Sequence, residues 1–396
     1  MSTTRRNLLK TVVAAPLAAS AAKPSKLPNT SDASVYTRIG VKPVINGMGT
    51  VTVLGGSLMP PEVIRAMDEA SNHFVLLPEL QVKVGEKIAE LIKVPGAMVS
   101  TGAAGCITMA TAASMVRGDV KKLQLLPDAK ENGIPFEVIQ QKTHRSGYEH
   151  QMRICGAKIV TVETAAELEA AINPNTAMLF FLNKDDSRGQ IKRAEFIQLG
   201  KKHNIPTFTD AAADVPPAGR LGQYVHDGFD LVAFSGGKGL WGPQSTGILL
   251  GRKDLTDCAR MAQSPNGGIG RGMKVGKEEL IGILAAVERY LKLDHEAETR
   301  EMDRKISEIS AVMSKVKGVT CGRFVPEIAN EVPHFEMKWD EPALKVSSKQ
   351  VQDQLLGGDP AIYLGYGKGH VTVSVWLMRG NEHKLVARRL AEIFKA

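Results

Sequence analysis

P-T-F-T-D-A-A-A-D (206–214) and D-L-V-A-F-S-G-G-K-G (230–239) are two short apolar runs, and each leads into a residue with chemistry to offer, Asp210 and Lys238. Runs of about four apolar or β-branched residues bounded by Pro, Gly and Asp read as buried strands. The expected strands Thr207–Thr209 and Leu231–Phe234 deliver both residues to one sheet edge, where open α/β sheets bind their ligands. A lysine and an aspartate held there, 28 positions apart in the chain, suit pyridoxal 5'-phosphate (PLP). The Lys238 amine condenses with the cofactor aldehyde to a Schiff base, and Asp210 pairs with the pyridinium nitrogen, keeping the ring protonated and electron-accepting. Most lysines are solvated surface charges. The glycines crowded around this one set it apart.

Outward from this pair, strands and helices alternate. Further strand candidates are Ala97–Ser100, Val138–Gln141, Lys158–Val162, Met178–Leu182 and Gly247–Leu250, with helical runs such as Val82–Ile92, Glu167–Ile172 and Lys192–His203 between them. This order predicts an α/β protein with a mostly parallel, seven-stranded type of sheet joined by right-handed crossovers. The helix Glu278–Leu293 leads to a smaller α+β unit with a helix at Arg300–Val316, strand candidates Val332–Lys338 and Val371–Trp376, and an amphipathic helix over Asn381–Phe394. The expected organisation is a leader over 1–26, a linker and glycine-rich extended arm over 27–60, a large cofactor-binding domain over 61–293 and a small C-terminal domain over 294–396.

Few residues are placed to carry chemistry. Thr101, Gly102, Ala103 and Ala104, in T-G-A-A-G, follow a strand and open a helix, so their backbone N–H groups and the helix dipole are expected to cradle the cofactor phosphate. Ser235, three residues before the lysine, is a second phosphate contact, with strand-end capping as its plain alternative. His144, just past the strand Val138–Gln141, is expected to lie on the pyridine ring or shuttle protons; Arg145, Tyr148 and His150 are its neighbours and competitors. Arg271 and Lys274, in a glycine-rich loop, are expected to bind substrate anions or a cofactor phosphate across a subunit interface. Arg379 is a candidate clamp for the substrate carboxylate. The four cysteines are scattered without ligand or disulfide spacing, so no metal site is expected.

The chain has 396 residues and is 43% hydrophobic, enough for a large core. Its formal charge is +8, but Arg5, Arg6, Lys10, Lys23 and Lys26 stand in residues 1–26 without an acidic residue, leaving +3 for the rest. The remaining cations are interspersed with acids, so no nucleic-acid stripe is expected. T-T-R-R-N-L-L-K followed by V-V-A-A-P-L-A-A-S-A-A is a charged head, a short apolar run and small residues, the pattern of an export signal. Its Arg5–Arg6 pair points to a twin-arginine pathway, with a periplasmic or secreted location and a cytoplasmic one as the alternative. No later stretch reaches the ~20 apolar residues of a spanning helix, so no stable membrane insertion is expected after processing.

The segments V-I-N-G-M-G-T-V-T-V-L-G-G-S-L-M-P-P-E-V (44–63), T-G-A-A-G (101–105), F-T-D-A-A-A-D-V-P-P (208–217) and 230–252, with G-G-D-P-A-I-Y (357–363) and V-A-R-R-L-A-E-I (386–393), resemble the selenocysteine-synthase-like family of PLP enzymes. The resemblance runs from Tyr36 to the C-terminus. It implies the aspartate aminotransferase fold (fold type I), Lys238 as the Schiff-base lysine, Asp210 as its partner, T-G-A-A-G as the phosphate loop, and a homodimer or higher homo-oligomer with sites at subunit interfaces. Within the family the chain resembles the D-glucosaminate-6-phosphate ammonia-lyase branch. That implies a lyase acting by α,β-elimination on a small amino acid or amino sugar acid, with Lys238 removing the α-proton and His144 protonating the leaving group. Aminotransferase, racemase and tRNA-dependent selenium transferase activities are the alternatives, and a non-catalytic binding module is the alternative of a different class. For the leader, replacing Arg5–Arg6 by Lys–Lys is expected to hold the protein in the cytoplasm; equal fractionation of both forms would refute the export reading.

Overall fold

Two sheets organise the chain. A computed structural model describes residues 34–327 and 329–395; the expected leader and the linker up to Ala33 lie outside the described residues. The strands are β1 Val44–Gly47, β2 Gly96–Thr101, β3 Glu137–Gln141, β4 Lys158–Val162, β5 Thr176–Leu182, β6 Thr207–Asp210, β7 Leu231–Ser235, β8 Thr246–Gly251, β9 Val319–Phe324, β10 His334–Trp339, β11 Ala361–Gly367 and β12 His370–Ser374. The larger sheet has seven strands in the order β2-β8-β7-β6-β5-β3-β4. Only β8 runs against its neighbours, β2 and β7. The C-terminal ends of β2, β5, β6 and β7 and the start of β8 therefore share one edge: Leu182 pairs with Asp210, Asp210 with Ala233, Ser235 with Gly247 and Thr101 with Thr246. This is the edge to which the sequence assigned Asp210 and Lys238.

The apolar runs have no polar alternation because both faces of the sheet are covered, as parallel sheets require. Successive side chains of β5 go to opposite faces: Leu179 and Phe181 join one buried cluster with Phe196, Val232, Phe234 and Ile248, while Met178 and Phe180 join the other with Phe208, Leu231 and Leu249. Phe180 stacks on Phe208 at 5.5 Å and Phe181 meets Phe196 edge-on at 5.1 Å. The helix Gly102–Met115 is small and apolar on every side and is buried almost throughout, which marks an internal helix. Its start lies against β8 so closely that a Cβ on Gly247 would come within 2.2 Å of the Gly102 carbonyl carbon. Only glycine fits there, and the contact pins the helix N-terminus to the functional edge.

The smaller sheet runs β1-β11-β12-β10-β9, and the helices His295–Met313, Ser348–Gly357 and Glu382–Lys395 accompany it. Its core gathers Ile45, Phe335, Met337, Ile362, Val371 and Leu390. β1 comes from the extended arm and pairs parallel with β11, Val44 opposite Ala361. The arm thus begins in the small unit and crosses to the large one, where the Ser57 N–H donates to the Gly237 carbonyl (2.9 Å) and the Gln244 side-chain amide donates to the Thr52 carbonyl (3.1 Å). Among the described residues, no helix is long and apolar enough to cross a membrane.

Candidate active site

A cavity of about 510 Å³ opens at the shared strand edge, within the ~300–1,000 Å³ usual for small-molecule sites. Each wall comes from an element already placed. Asp210 ends β6 and Ser235 ends β7; Gly237 and Lys238 form the turn after β7; Gly102, Ala103 and Ala104 open the buried helix; Thr50, Thr52 and Gly56 come from the arm. The turn is shaped by close approach. A Cβ on Gly237 would lie 2.4 Å from the Gln244 Cα, and one on Gly239 would lie 2.0 Å from the Val215 carbonyl oxygen. The glycines around Lys238 are therefore a packing requirement that fixes where the lysine stem leaves the backbone.

Lys238 is half-buried, and no hydrogen bond or ion pair engages its Nζ among the described residues. Across the cavity, Asp210 is buried, and one hydrogen bond reaches its carboxylate, from the Ala212 N–H to Oδ1 at 3.0 Å. Burial pushes its pKa up, opposed by that N–H and by the nearby charges of Lys238 and Lys184. A buried carboxylate with one such bond and an open side toward the cavity is matched to a cationic ligand nitrogen. At the helix start, the Gly102 N–H is spent on the Ser245 carbonyl (2.9 Å). The next two N–H groups, of Ala103 and Ala104, are first-turn donors without an intrahelical acceptor, and both residues face the cavity. With the Ser235 hydroxyl they make a neutral, dipole-assisted anion cradle. Amine, carboxylate and cradle line one chamber, and this donor set fits PLP: aldehyde at Lys238, ring nitrogen at Asp210, phosphate at Ala103, Ala104 and Ser235.

Thr101, Arg379, Arg271, Lys274 and His144 do not line this cavity. Thr101 ends β2, one residue short of it. Arg379 sits in the small unit, where its main-chain N–H donates to the Glu382 carboxylate (2.8 Å). Arg271 is exposed and donates to the Pro265 carbonyl (2.6 Å), and Lys274 is exposed on the same loop; the role expected for both was across a subunit boundary, outside one chain's cavity. His144 is a correction. It is fully buried against Phe181, with ring centroids 4.5 Å apart, and its Nδ1 accepts from the Leu182 N–H at 3.2 Å. Burial pushes its pKa down to about 4. A neutral ring under the strand ends neither stacks on a cofactor nor supplies a proton.

Tyr148, Lys184, Asp214 and Gln244 line the cavity without having been singled out as site residues. Tyr148 is the exposed aromatic of the segment that holds His144, and only its position distinguishes it from that histidine. Asp214, four residues past Asp210, is buried, and its Oδ2 accepts from the Tyr224 hydroxyl (3.0 Å) and the Asn183 amide. Burial raises its pKa to about 6, with the Asp210 charge adding to the rise and the two hydrogen bonds opposing it. Asn330 fastens this loop from the small unit: its side-chain amide donates to the Ala213 and Val215 carbonyls, both at 2.7 Å, while its Oδ1 accepts from the Thr50 hydroxyl at 2.6 Å. Among the described residues, no cluster of His, Cys, Asp and Glu is arranged to hold a metal ion.

A family model described as L-seryl-tRNA selenium transferase matches residues 150–321. A D-glucosaminate-6-phosphate ammonia lyase of Salmonella typhimurium is 29% identical over 375 residues, 91% of this chain and 98% of that protein. A 5'-C-glycyluridine monooxygenase-decarboxylase of a Streptomyces species is 30% identical over 374 residues, 90% of this chain and 91% of that protein. A solved structure of D-glucosaminate-6-phosphate ammonia-lyase superposes with a TM-score of 0.79 at 28% identity, covering 93% of this chain and 99% of that one. An aspartate aminotransferase of Thermotoga maritima, at 17% identity and a TM-score of 0.51 over 92% of this chain and 96% of that one, shows the same fold. The α/β architecture expected from the sequence is thus the aspartate aminotransferase fold.

The raised carboxyl of Asp214 has a consequence for stability. The folded protein keeps this proton up to about pH 6, whereas the ordinary carboxyl releases it near 3.8. Asp214 therefore favours the folded state at low pH, and that contribution is lost as the pH rises through this window. Asp214→Asn, which keeps the size and an acceptor, is expected to raise Tm relative to the parent at pH 7.5 and by a markedly smaller step at pH 4. Equal shifts at both pH values would contradict the assignment.

Proposed function

We propose, for a chain that belongs to the selenocysteine-synthase-like family of PLP enzymes, the function of a lyase: α,β-elimination of water from a small β-hydroxy amino acid or amino sugar acid, releasing ammonia. The observation that supports it is an unpaired lysine amine opposite a buried carboxylate in one chamber, with a protonatable second carboxyl, Asp214, on the same wall. The cofactor, when bound, supplies an electron sink for the pair left at the substrate α-carbon. Asp210 holds positive charge at the ring nitrogen. Ala103, Ala104 and Ser235 anchor the phosphate and so fix the ring's register against Lys238. The Lys238 amine takes the α-proton, and Asp214, with a pKa near working pH, gives a proton to the departing β-hydroxyl. The hydroxyl leaves as water, and a water then hydrolyses the resulting enamine. The sum is a 2-oxo acid and ammonia, with no oxidant or acceptor consumed.

The D-glucosaminate-6-phosphate ammonia lyase named above supports this chemistry, as its name describes removal of ammonia from an amino sugar acid. The partner in this reading is a small molecule and not a charged tRNA, since the excess positive charge is concentrated in residues 1–26. Export through the Arg5–Arg6 segment belongs to the same reading. So does a homodimer. His73 to Leu76 connects two helices, and in it Phe74 is fully exposed and Val75 and Leu76 are more than half exposed. A run of that kind is the mark of a surface meant for burial, and a second copy is the occupant the family resemblance implies.

An amino-acid and amino-sugar-acid panel incubated with the PLP-loaded enzyme is expected to yield ammonia and 2-oxo acid in equal amounts without any added oxo acid. Product formed only when an oxo acid is supplied would turn the reading to transamination. Asp214→Asn is expected to lower kcat by about 10²–10⁴, the usual worth of a positioned acid, while the parent rate falls as pH rises above about 6; an unchanged rate and pH profile would remove Asp214 from the mechanism. Phe74→Asp is expected to convert a dimer into monomers by light scattering, and a monomeric parent would refute the dimer.

A further inference from the structure

Asp210 ends β6 and Lys238 follows β7, and the next strand, β5, delivers a third charged residue to the same edge. Leu182 pairs with Asp210, and the single turn Asn183–Asp185 comes directly after it. That turn is held from below, from the side and by its own backbone. The Leu182 N–H donates to His144 Nδ1 at 3.2 Å, the Asn183 side-chain amide donates to the Tyr224 hydroxyl at 2.9 Å and to Asp214, and the Asp186 N–H donates to the Asn183 carbonyl at 3.0 Å. Lys184 is thereby fixed on the wall of the active-site cavity, and it also lines a neighbouring polar chamber of about 380 Å³ that shares Asp214 with the cavity. Its side chain is 47% exposed, whereas the Asp185 carboxylate that pairs with it at 2.6 Å is 3% exposed. The same carboxylate also pairs with Arg188 at 3.1 Å. One acid shared between two cations leaves net positive charge at the cavity wall. An ammonium has three N–H donors, and among the described residues Asp185 is the only hydrogen-bond partner of this one.

Among the described residues, the acidic and basic side chains that line the cavity are Lys184, Lys238, Asp210 and Asp214. Under the lyase reading three of them already have a role: Lys238 at the cofactor aldehyde, Asp210 at the ring nitrogen and Asp214 as the acid that holds a proton up to about pH 6. The α-carboxylate of an amino acid, moved from water into this chamber, requires a cation of its own. We propose, on the amino-acid substrate of that reading, that Lys184 binds the substrate α-carboxylate through the N–H donors that Asp185 leaves open. Hydrogen bonds between an ammonium and a carboxylate are roughly twice as strong as neutral ones. The same contact sets specificity, because a simple amine could form the Lys238 exchange chemistry but would offer Lys184 no anion. His144 gains a purpose here as a positioning residue: its buried ring holds Leu182, two residues before the lysine that meets the substrate.

Racemic α-methylserine is a suitable probe, since without an α-hydrogen it binds but cannot undergo the elimination. Its counterpart 2-amino-2-methylpropan-1-ol carries a methyl group in place of the carboxylate. Each is titrated into the full-length, cofactor-loaded protein while the visible absorbance is recorded. A saturable change with α-methylserine is expected, with affinity about tenfold to a hundredfold lower in Lys184→Gln and partly restored in Lys184→Arg, whereas affinity for the amino alcohol stays the same in parent and Lys184→Gln. Equal α-methylserine affinity in parent and Lys184→Gln overturns the proposal, as does an equal loss for both probes, which a merely structural role would give. Loss of the cofactor from Lys184→Gln would assign the lysine to the cofactor instead and overturn it too. A parent that binds α-methylserine no better than the amino alcohol has no carboxylate site, and the proposal falls. Ammonia release from the amino-acid panel is read separately: no ammonia, together with Lys184-dependent binding of α-methylserine, would refute the elimination and leave the carboxylate site standing.

Discussion

The Asp210 carboxylate is buried at a strand end, where carrying a charge is expensive, and the rest of the site exists to make that charge tolerable and useful. One backbone N–H, from Ala212, and the facing Lys238 amine offset part of the desolvation. Neither neutralises the open side of the carboxylate toward the cavity. A cationic ring nitrogen of the proposed cofactor would do so, and in the low-dielectric setting of a strand end such a pairing would favour the protonated pyridine. The location matters as much as the group. Asp210 is fixed through the register of β6 between β5 and β7, with Leu182 on one side and Ala233 on the other, so the acid cannot swing away from the lysine turn without breaking the middle of the sheet.

Three further constraints keep the facing groups in place, and all act on the main chain. Gly247 lets β8 meet the start of the buried helix, which aims the Ala103 and Ala104 N–H groups. Gly237 and Gly239 let the lysine turn settle against Gln244 and Val215. The arm crosses from the small sheet to bond Gly237 through Ser57, and Asn330 ties the Asp214 loop back to the small unit. The small unit is thus mechanically joined to both the lysine turn and the acid loop. Opening between the two units would disturb the site from two sides, a reason for the arm to be glycine-rich and closely fitted.

Much of this was legible in the sequence because it is local. Thr207–Thr209 and Leu231–Phe234 are apolar runs between breakers, and a parallel sheet buried on both faces leaves just that signature; T-G-A-A-G announces a helix start for the same reason. What escaped was non-local or depended on side-chain direction. β1 is four residues inside a glycine-rich stretch, and its pairing with β11 spans most of the chain. His144 and Tyr148 are separated by three residues in one loop, and nothing in their order says that the histidine turns under the sheet to bond Leu182 while the tyrosine turns up to the cavity. Asp214 was in plain view in the quoted motif, but its burial and raised pKa come from Tyr224 and Asn183, which only the folded chain brings to it.

The central claim is a covalent link between the cofactor aldehyde and the amine at position 238. Borohydride reduction of the native holoprotein, followed by proteolysis and peptide mass analysis, tests it directly. The account predicts the reduced phosphopyridoxyl mass on the peptide carrying Lys238 and on no other. The same mass on a different lysine, or an unmodified Lys238 in protein that retains its visible absorbance, would contradict it.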